Sequence, residues 1–112
     1  MANAGDVGIS AETLADGGTV VRVEGELDMA TTHELEEAVD GADWSRRLVI
    51  DLTACTFLDS SAVRVLVSTA RAAQTGGGSC SLVASDSGIV RVLEIAAVDT
   101  ILPVHSTLDA AL

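Results

Sequence analysis

The feature that most constrains this chain is the run Leu48-Val49-Ile50-Asp51-Leu52. It is almost continuously apolar, with no alternation between one face and the other. Such a run suits a strand covered on both faces, as in a parallel sheet. Parallel neighbours need crossover helices, so the run predicts an α/β layer fold.

The flanking segments agree. Residues 7–14 alternate weakly through Val7, Ile9 and Ala11, and Asp16-Gly17-Gly18 signals a turn. Thr19-Val20-Val21-Arg22-Val23 is β-branched, so the two segments read as a hairpin. Thr31 and Thr32 are both candidate N-caps for a short helix ending near Gly41, with Leu35, Ala38 and Val39 as its apolar stripe. After Leu52, residues 53–58 read as a loop. Asp59 caps a helix over 60–74, with Val63, Leu66, Val67 and Ala70 as its core stripe. Gly76-Gly77-Gly78 stops it.

A strand over 80–84 follows, then a helix capped by Asp86 or Ser87 that carries Ile89, Val92, Leu93 and Ala96. A last strand over 101–104 contains the one Pro, which places it at a sheet edge. A closing helix spans 106–112. The order is ββαβαβαβα: a mixed, mostly parallel sheet with an N-terminal β-hairpin and helices mainly on one face.

Composition narrows the function. The chain has 112 residues, 48% of them hydrophobic, which fits one domain with a core of its own. Its net charge of −11, with six Arg and no Lys, opposes a phosphate backbone. Phe57 and Trp44 are the only aromatics, too few for a base-stacking platform. Nucleic acid is therefore disfavoured as a partner, and an Arg-bearing protein surface is favoured. The lead 1–6 has no basic residue and no apolar run behind it, so it reads as a flexible N-terminus rather than a secretory signal. With no membrane-spanning run, the expected location is the cytoplasm.

No cofactor or metal site is readable. Cys55 and Cys80 read as small buried hydrophobes, with a redox switch as the alternative. They fall toward opposite ends of the sheet, which excludes a disulfide between them. His33 and His105 have no nucleophile patterned around them, so an enzyme is the weakest class. Glu34, Glu36 and Glu37 form an acidic helix face, either simply solvated or a contact for a basic partner. Trp44 is expected to pack over the end of the first helix.

The chemistry concentrates at the strand-to-helix junction. Asp59 at an N-cap leaves Ser60 and Ser61 at the first two helical positions, where free N–H groups and the helix dipole favour an anion. A Ser there is a reachable phosphate acceptor. The same three residues also suit an ordinary helix start. Ala62, Val65 and Thr69 lie beside the expected core stripe and offer a small-residue surface for a partner helix or loop; Arg64 and Arg71 are expected to be solvated.

The strand, the Phe57-Leu58-Asp59-Ser60-Ser61 junction and the apolar helix after it resemble the STAS domain of bacterial anti-sigma-factor antagonists. Gly25-Glu26-Leu27-Asp28 is similar to that family's second hallmark. The segment 89–98 with Thr100-Ile101-Leu102 is similar to its third helix and last strand. The resemblance implies a single STAS domain over 7–112 and a regulatory role rather than an enzymatic one. It implies binding to an anti-sigma factor that is also a serine kinase using ATP and magnesium, with release of a sigma factor. It implies phosphorylation of Ser60, with Ser61 as second choice, reversed by a serine phosphatase. Asp28 and Asp59 match the acidic residues near the acceptor. The family commonly has Gly-Leu where this chain has Ala62-Val63. The same fold without a switch, as a scaffold or ligand-sensing domain, is the alternative.

Overall fold

A computed structural model describes residues 7–112; the expected N-terminal lead 1–6 lies outside the described residues. Five strands form one sheet in the order β1-β2-β3-β4-β5. β1 (Val7–Thr13) and β2 (Thr19–Leu27) are antiparallel, and β3 (Arg47–Leu58), β4 (Ser79–Val83) and β5 (Val104–His105) continue in parallel. The helices are α1 (Thr32–Asp40), α2 (Ser60–Thr75), α3 (Ser87–Ile95) and α4 (Leu108–Ala111), with a 3-10 turn at Val98–Thr100. The element order expected from the sequence is the order observed, and β5 lies at the edge, but it is Val104–His105 rather than 101–104, with Pro103 just before the strand instead of within it.

The run at Leu48–Leu52 is buried along its whole length. Leu48, Ile50 and Leu52 face the main core with Val21, Val23 and Leu82, under α1, α2 and α3. Val49 faces the other side, where Val20, Val83 and Ala111 of α4 enclose a smaller core. Beyond α4, that second face is polar. Asp51 is held there by the Thr53 N–H at 2.9 Å and the Thr53 hydroxyl at 2.5 Å, with Arg22 at 3.9 Å. These partners satisfy a carboxylate on an otherwise buried strand.

Two expectations need correction. Residues 53–58 are not a loop: β3 runs to Leu58 because β2 runs to Leu27 beside it. The pairing survives through register shifts at Arg22/Glu24 and Gly25/Glu26. Each shift leaves an extra residue on β3, and opposite the second one Gly25 of β2 sits at φ 95°, a positive angle that glycine adopts without a Cβ penalty. The core stripe of α2 is also rotated. Ala62, Leu66, Thr69, Ala70 and Ala73 are buried, while Val63 and Val67 are only half-buried. The sheet beneath is already filled by Leu, Ile and Val, so the helix approaches on its small residues.

The α2–β4 connection depends on a close approach. The Gly78 N–H donates to the Trp44 and Ala73 carbonyls, both at 3.0 Å. A Cβ at Gly78 would stand 2.2 Å from the Arg46 carbonyl oxygen. Leu48 pairs with Cys80 across β3 and β4. Cys55 is therefore seven residues farther along than Cys80's partner, about 23 Å of strand. No disulfide spans that distance.

Candidate functional site

The carboxyl ends of β2 and β3 meet where the sequence concentrates its polar chemistry. Asp59 is the N-cap of α2, and its Oδ1 accepts the Ala62 N–H at 3.1 Å. Its Oδ2 accepts the Met29 N–H at 3.2 Å, and its own N–H donates to the Leu27 carbonyl at 3.3 Å. One residue thus caps the helix and fastens the loop between β2 and α1 to it.

Asp28 is in that loop. Its Oδ1 accepts the Ala30 N–H at 2.9 Å and the Thr31 hydroxyl at 3.1 Å. Thr31 is the N-cap residue of α1 but makes no side-chain cap. Its hydroxyl accepts the Asp28 N–H at 2.9 Å and shares its single proton between the Glu26 carbonyl at 2.9 Å and the Asp28 carboxylate. Thr31 shapes the loop rather than the helix, and the loop carries Asp28 beside the start of α2.

Ser60 opens α2 and is exposed. It borders a shallow, mostly apolar depression of about 230 Å³, whose walls include Val63, Val92 and Ile95. Three large apolar side chains stand in solvent around this end of the sheet. Met29 is 80% exposed, Ile95 75% and Phe57 46%. Exposed apolar groups near an exposed hydroxyl make this end of the sheet the candidate interaction surface. Sequence reasoning did not find Met29 or Ile95. Ile95 was readable by phase: it lies six residues after Ile89, well off the stripe that Ile89 and Leu93 bury.

The remaining expected site residues divide. Ser61 is half-buried and turns toward the groove between α1 and α2, which Arg64 and Val65 also line. Ala62 and Thr69 are corrections. They are 0% and 4% exposed, and the Thr69 hydroxyl donates to the Val65 carbonyl at 2.8 Å. Ala62 packs inward and presents no surface to a partner, while Thr69 reaches the surface only as an edge of the groove between α1 and α2. The Ala62 methyl, standing where Gly is common, points into the core and leaves the outside of the helix start unchanged. Cys55 is buried below the site, and its thiol donates to the Phe57 carbonyl at 3.2 Å. Burial pushes that thiol's pKa up, only partly offset by backbone hydrogen bonds.

The STAS domain profile matches residues 10–111. This chain belongs to the STAS domain family. The STAS domain here is 29% identical over 101 residues to the anti-sigma-F factor antagonist RsfA of Mycobacterium tuberculosis, across 87% of this chain and 79% of that protein. A crystal structure of an anti-sigma factor antagonist from Mycobacterium paratuberculosis is similar with a TM-score of 0.82 and 32% identity, over 95% of this chain and 91% of that one. The Bacillus cell fate determinant SpoIIAA, in its phosphorylated form, shares the STAS fold at 17% identity and a TM-score of 0.70, over 92% of this chain and 96% of that one. Among the described residues of this STAS domain, no helix is long and apolar enough to cross a membrane.

Proposed function

We propose that this chain is a bacterial anti-sigma factor antagonist acting in the cytoplasm. It binds an anti-sigma factor that is also a serine kinase, and so frees a sigma factor. Phosphate placed on Ser60 ends the binding, and a serine phosphatase restores it. The role is that of a regulatory binding protein, not an enzyme. The names of the mycobacterial relatives support the first part of this reading.

One observation carries the switch: an exposed Ser at the first position of α2, beside exposed Met29 and Ile95 and the acidic residues Asp28 and Asp59. The apolar groups supply contact area when covered by a partner. The acids supply the sign of the switch. A phosphoserine carries about −1.5 to −2 charges at neutral pH. Like unit charges about 6 Å apart repel by about 3 kcal/mol at an effective dielectric near 20. The helix N-terminus and solvent offset part of this. A residual penalty of about 2–3 kcal/mol weakens binding about thirtyfold to over a hundredfold. No refolding of the domain is required.

The test is phosphorylation by the host's anti-sigma kinases with ATP and magnesium, mapped by mass spectrometry. Phosphate is expected on Ser60, and Ser60→Ala keeps partner binding while losing the switch. If every kinase leaves both Ser60 and Ser61 unmodified, the switch is wrong and Asp59-Ser60-Ser61 is a structural cap.

A further inference from the structure

A second surface adjoins the one around Ser60, with Met29 and Ser61 at its near end. Between α1 and α2 runs an open trough of about 460 Å³. Val39 and Val65 contribute apolar floor, and Trp44 lies past the last residue of α1. Glu36 and Asp40 stand on the α1 wall, and Arg64 on the α2 wall.

These charges are arranged with a polarity. β2 and β3 are parallel, so α1 and α2 both return against them and start at the same end. Arg64 is in the first turns of α2, near the two helix N-termini, and Asp40 is the last residue of α1. Helix N-termini carry partial positive charge and C-termini partial negative charge. The trough is therefore positive toward Arg64 and negative toward Asp40. Among the described residues, the ion pairs use Arg22, Arg46 and Arg47, and none uses Glu36, Asp40 or Arg64. Charged walls without internal partners, over an apolar floor, call for an occupant that brings both kinds of contact.

We infer that the α1–α2 trough is a second docking surface, taking a basic amphipathic helix of a partner protein with its cationic end over Asp40. α1 has nine residues, so the trough beside it is about 13 Å long, roughly the length of two to three helical turns. An amphipathic helix lays its apolar stripe in such a groove and its charges on the walls. A Lys or Arg at the Asp40 end also comes near Trp44, which lines the trough. The net charge of −11 steers a cationic segment in and an acidic one away. This inference does not rest on the assignment of Ser60.

Trp44 is the single tryptophan, so it reports directly on the trough. The probe is a tryptophan-free peptide of Leu and Lys at helical spacing, about 14 residues long. Binding shifts Trp44 fluorescence saturably. Glu36→Lys with Asp40→Lys weakens binding at least about tenfold. Glu34→Lys with Glu37→Lys makes the same change in net charge outside the trough and weakens it less than about threefold. Ser68→Phe fills the trough with no change of charge and removes the shift. All these positions are exposed, so the substitutions leave the core intact. Ser60→Asp leaves peptide binding within about twofold, which separates this surface from the switch. A silent Trp44, equal weakening by the two charge-reversal pairs, unchanged binding in Ser68→Phe, or loss in Ser60→Asp overturns the inference.

Discussion

The carboxylate of Asp59 accepts the backbone N–H of Met29 at 3.2 Å, across thirty residues of sequence. Its other oxygen accepts the Ala62 N–H in the first turn of α2. The apolar Met29, the acidic Asp28 and the exposed Ser60 are therefore positioned by one side chain. The surface around Ser60 is built before a partner arrives, so little ordering cost is left for binding.

Replacing Asp59 by Ala removes the helix cap and the loop clip together. A lost cap costs about 1 kcal/mol, and the freed N–H groups are partly solvated. Urea denaturation is expected to show Asp59→Ala destabilised by about 1–3 kcal/mol. Asp59→Asn keeps the acceptor oxygen and should lose less than half of that. Equal losses would mean that the negative charge, not the hydrogen-bond geometry, holds the loop.

Met29→Ser and Ile95→Ser separate binding from folding. Both side chains stand mostly in solvent, so unfolding free energies should stay within about 0.5 kcal/mol of the parent. Affinity for the anti-sigma factor, measured by calorimetry, should fall about tenfold or more for each. Unchanged affinity would move the partner's footprint away from this end of the sheet.

The two glycines Gly41 and Gly78 should respond in opposite ways to Ala. At Gly78 a methyl meets the Arg46 and Trp44 carbonyl oxygens at 2.2 and 2.5 Å, so the β4 connection must shift. We expect a loss of more than about 2 kcal/mol, read as a fall in melting temperature. At Gly41 the nearest atom outside its neighbours is 3.6 Å away and φ is −79°. Ala there should be neutral or stabilising by up to about 1 kcal/mol.

The buried thiols predict an alkaline weakness. Burial pushes Cys80 up to about 12 from an ordinary value of 9.0, so the folded state holds that proton more tightly than the unfolded one. Stability contributed by the protonated thiol is complete below pH 9 and falls as pH rises toward 12, by up to about 1.4 kcal/mol per pH unit. Cys80→Ala should flatten that part of the stability profile. Native protein at pH 8 should react with a thiol reagent far more slowly than the unfolded chain.

What could be read from the sequence, and what could not, follows from where periodicity survives. Continuous burial at Leu48–Leu52 and the cap at Asp59 are local signals that stand as read, and of the two candidates Asp86 and Ser87 the first is the cap. The strand character of residues 53–58 was hidden because bulges shift the pairing, leaving Leu52, Cys55 and Leu58 buried at a spacing of three rather than two. The rotation of α2 was hidden because Ala and Val compete for the same stripe. Only the filled sheet beneath decides that Ala62 goes in and Val63 stays half out. The exposure of Met29 depends on a hydrogen bond between residues far apart in sequence, which no local pattern encodes.

The sheet's strand order is also its order of synthesis. Each strand docks onto the one translated just before it, and none has to be wedged between two that are already joined. A nascent chain can thus close its contacts as it leaves the ribosome, with loop-closure costs kept small at every stage. The last vacancy to close is the flank of β4, and it is taken by a two-residue strand preceded by Pro103. So short a finishing piece leaves a stray strand from another molecule little to grip at this edge, and the seven-residue β1 is left as the longer edge of the sheet.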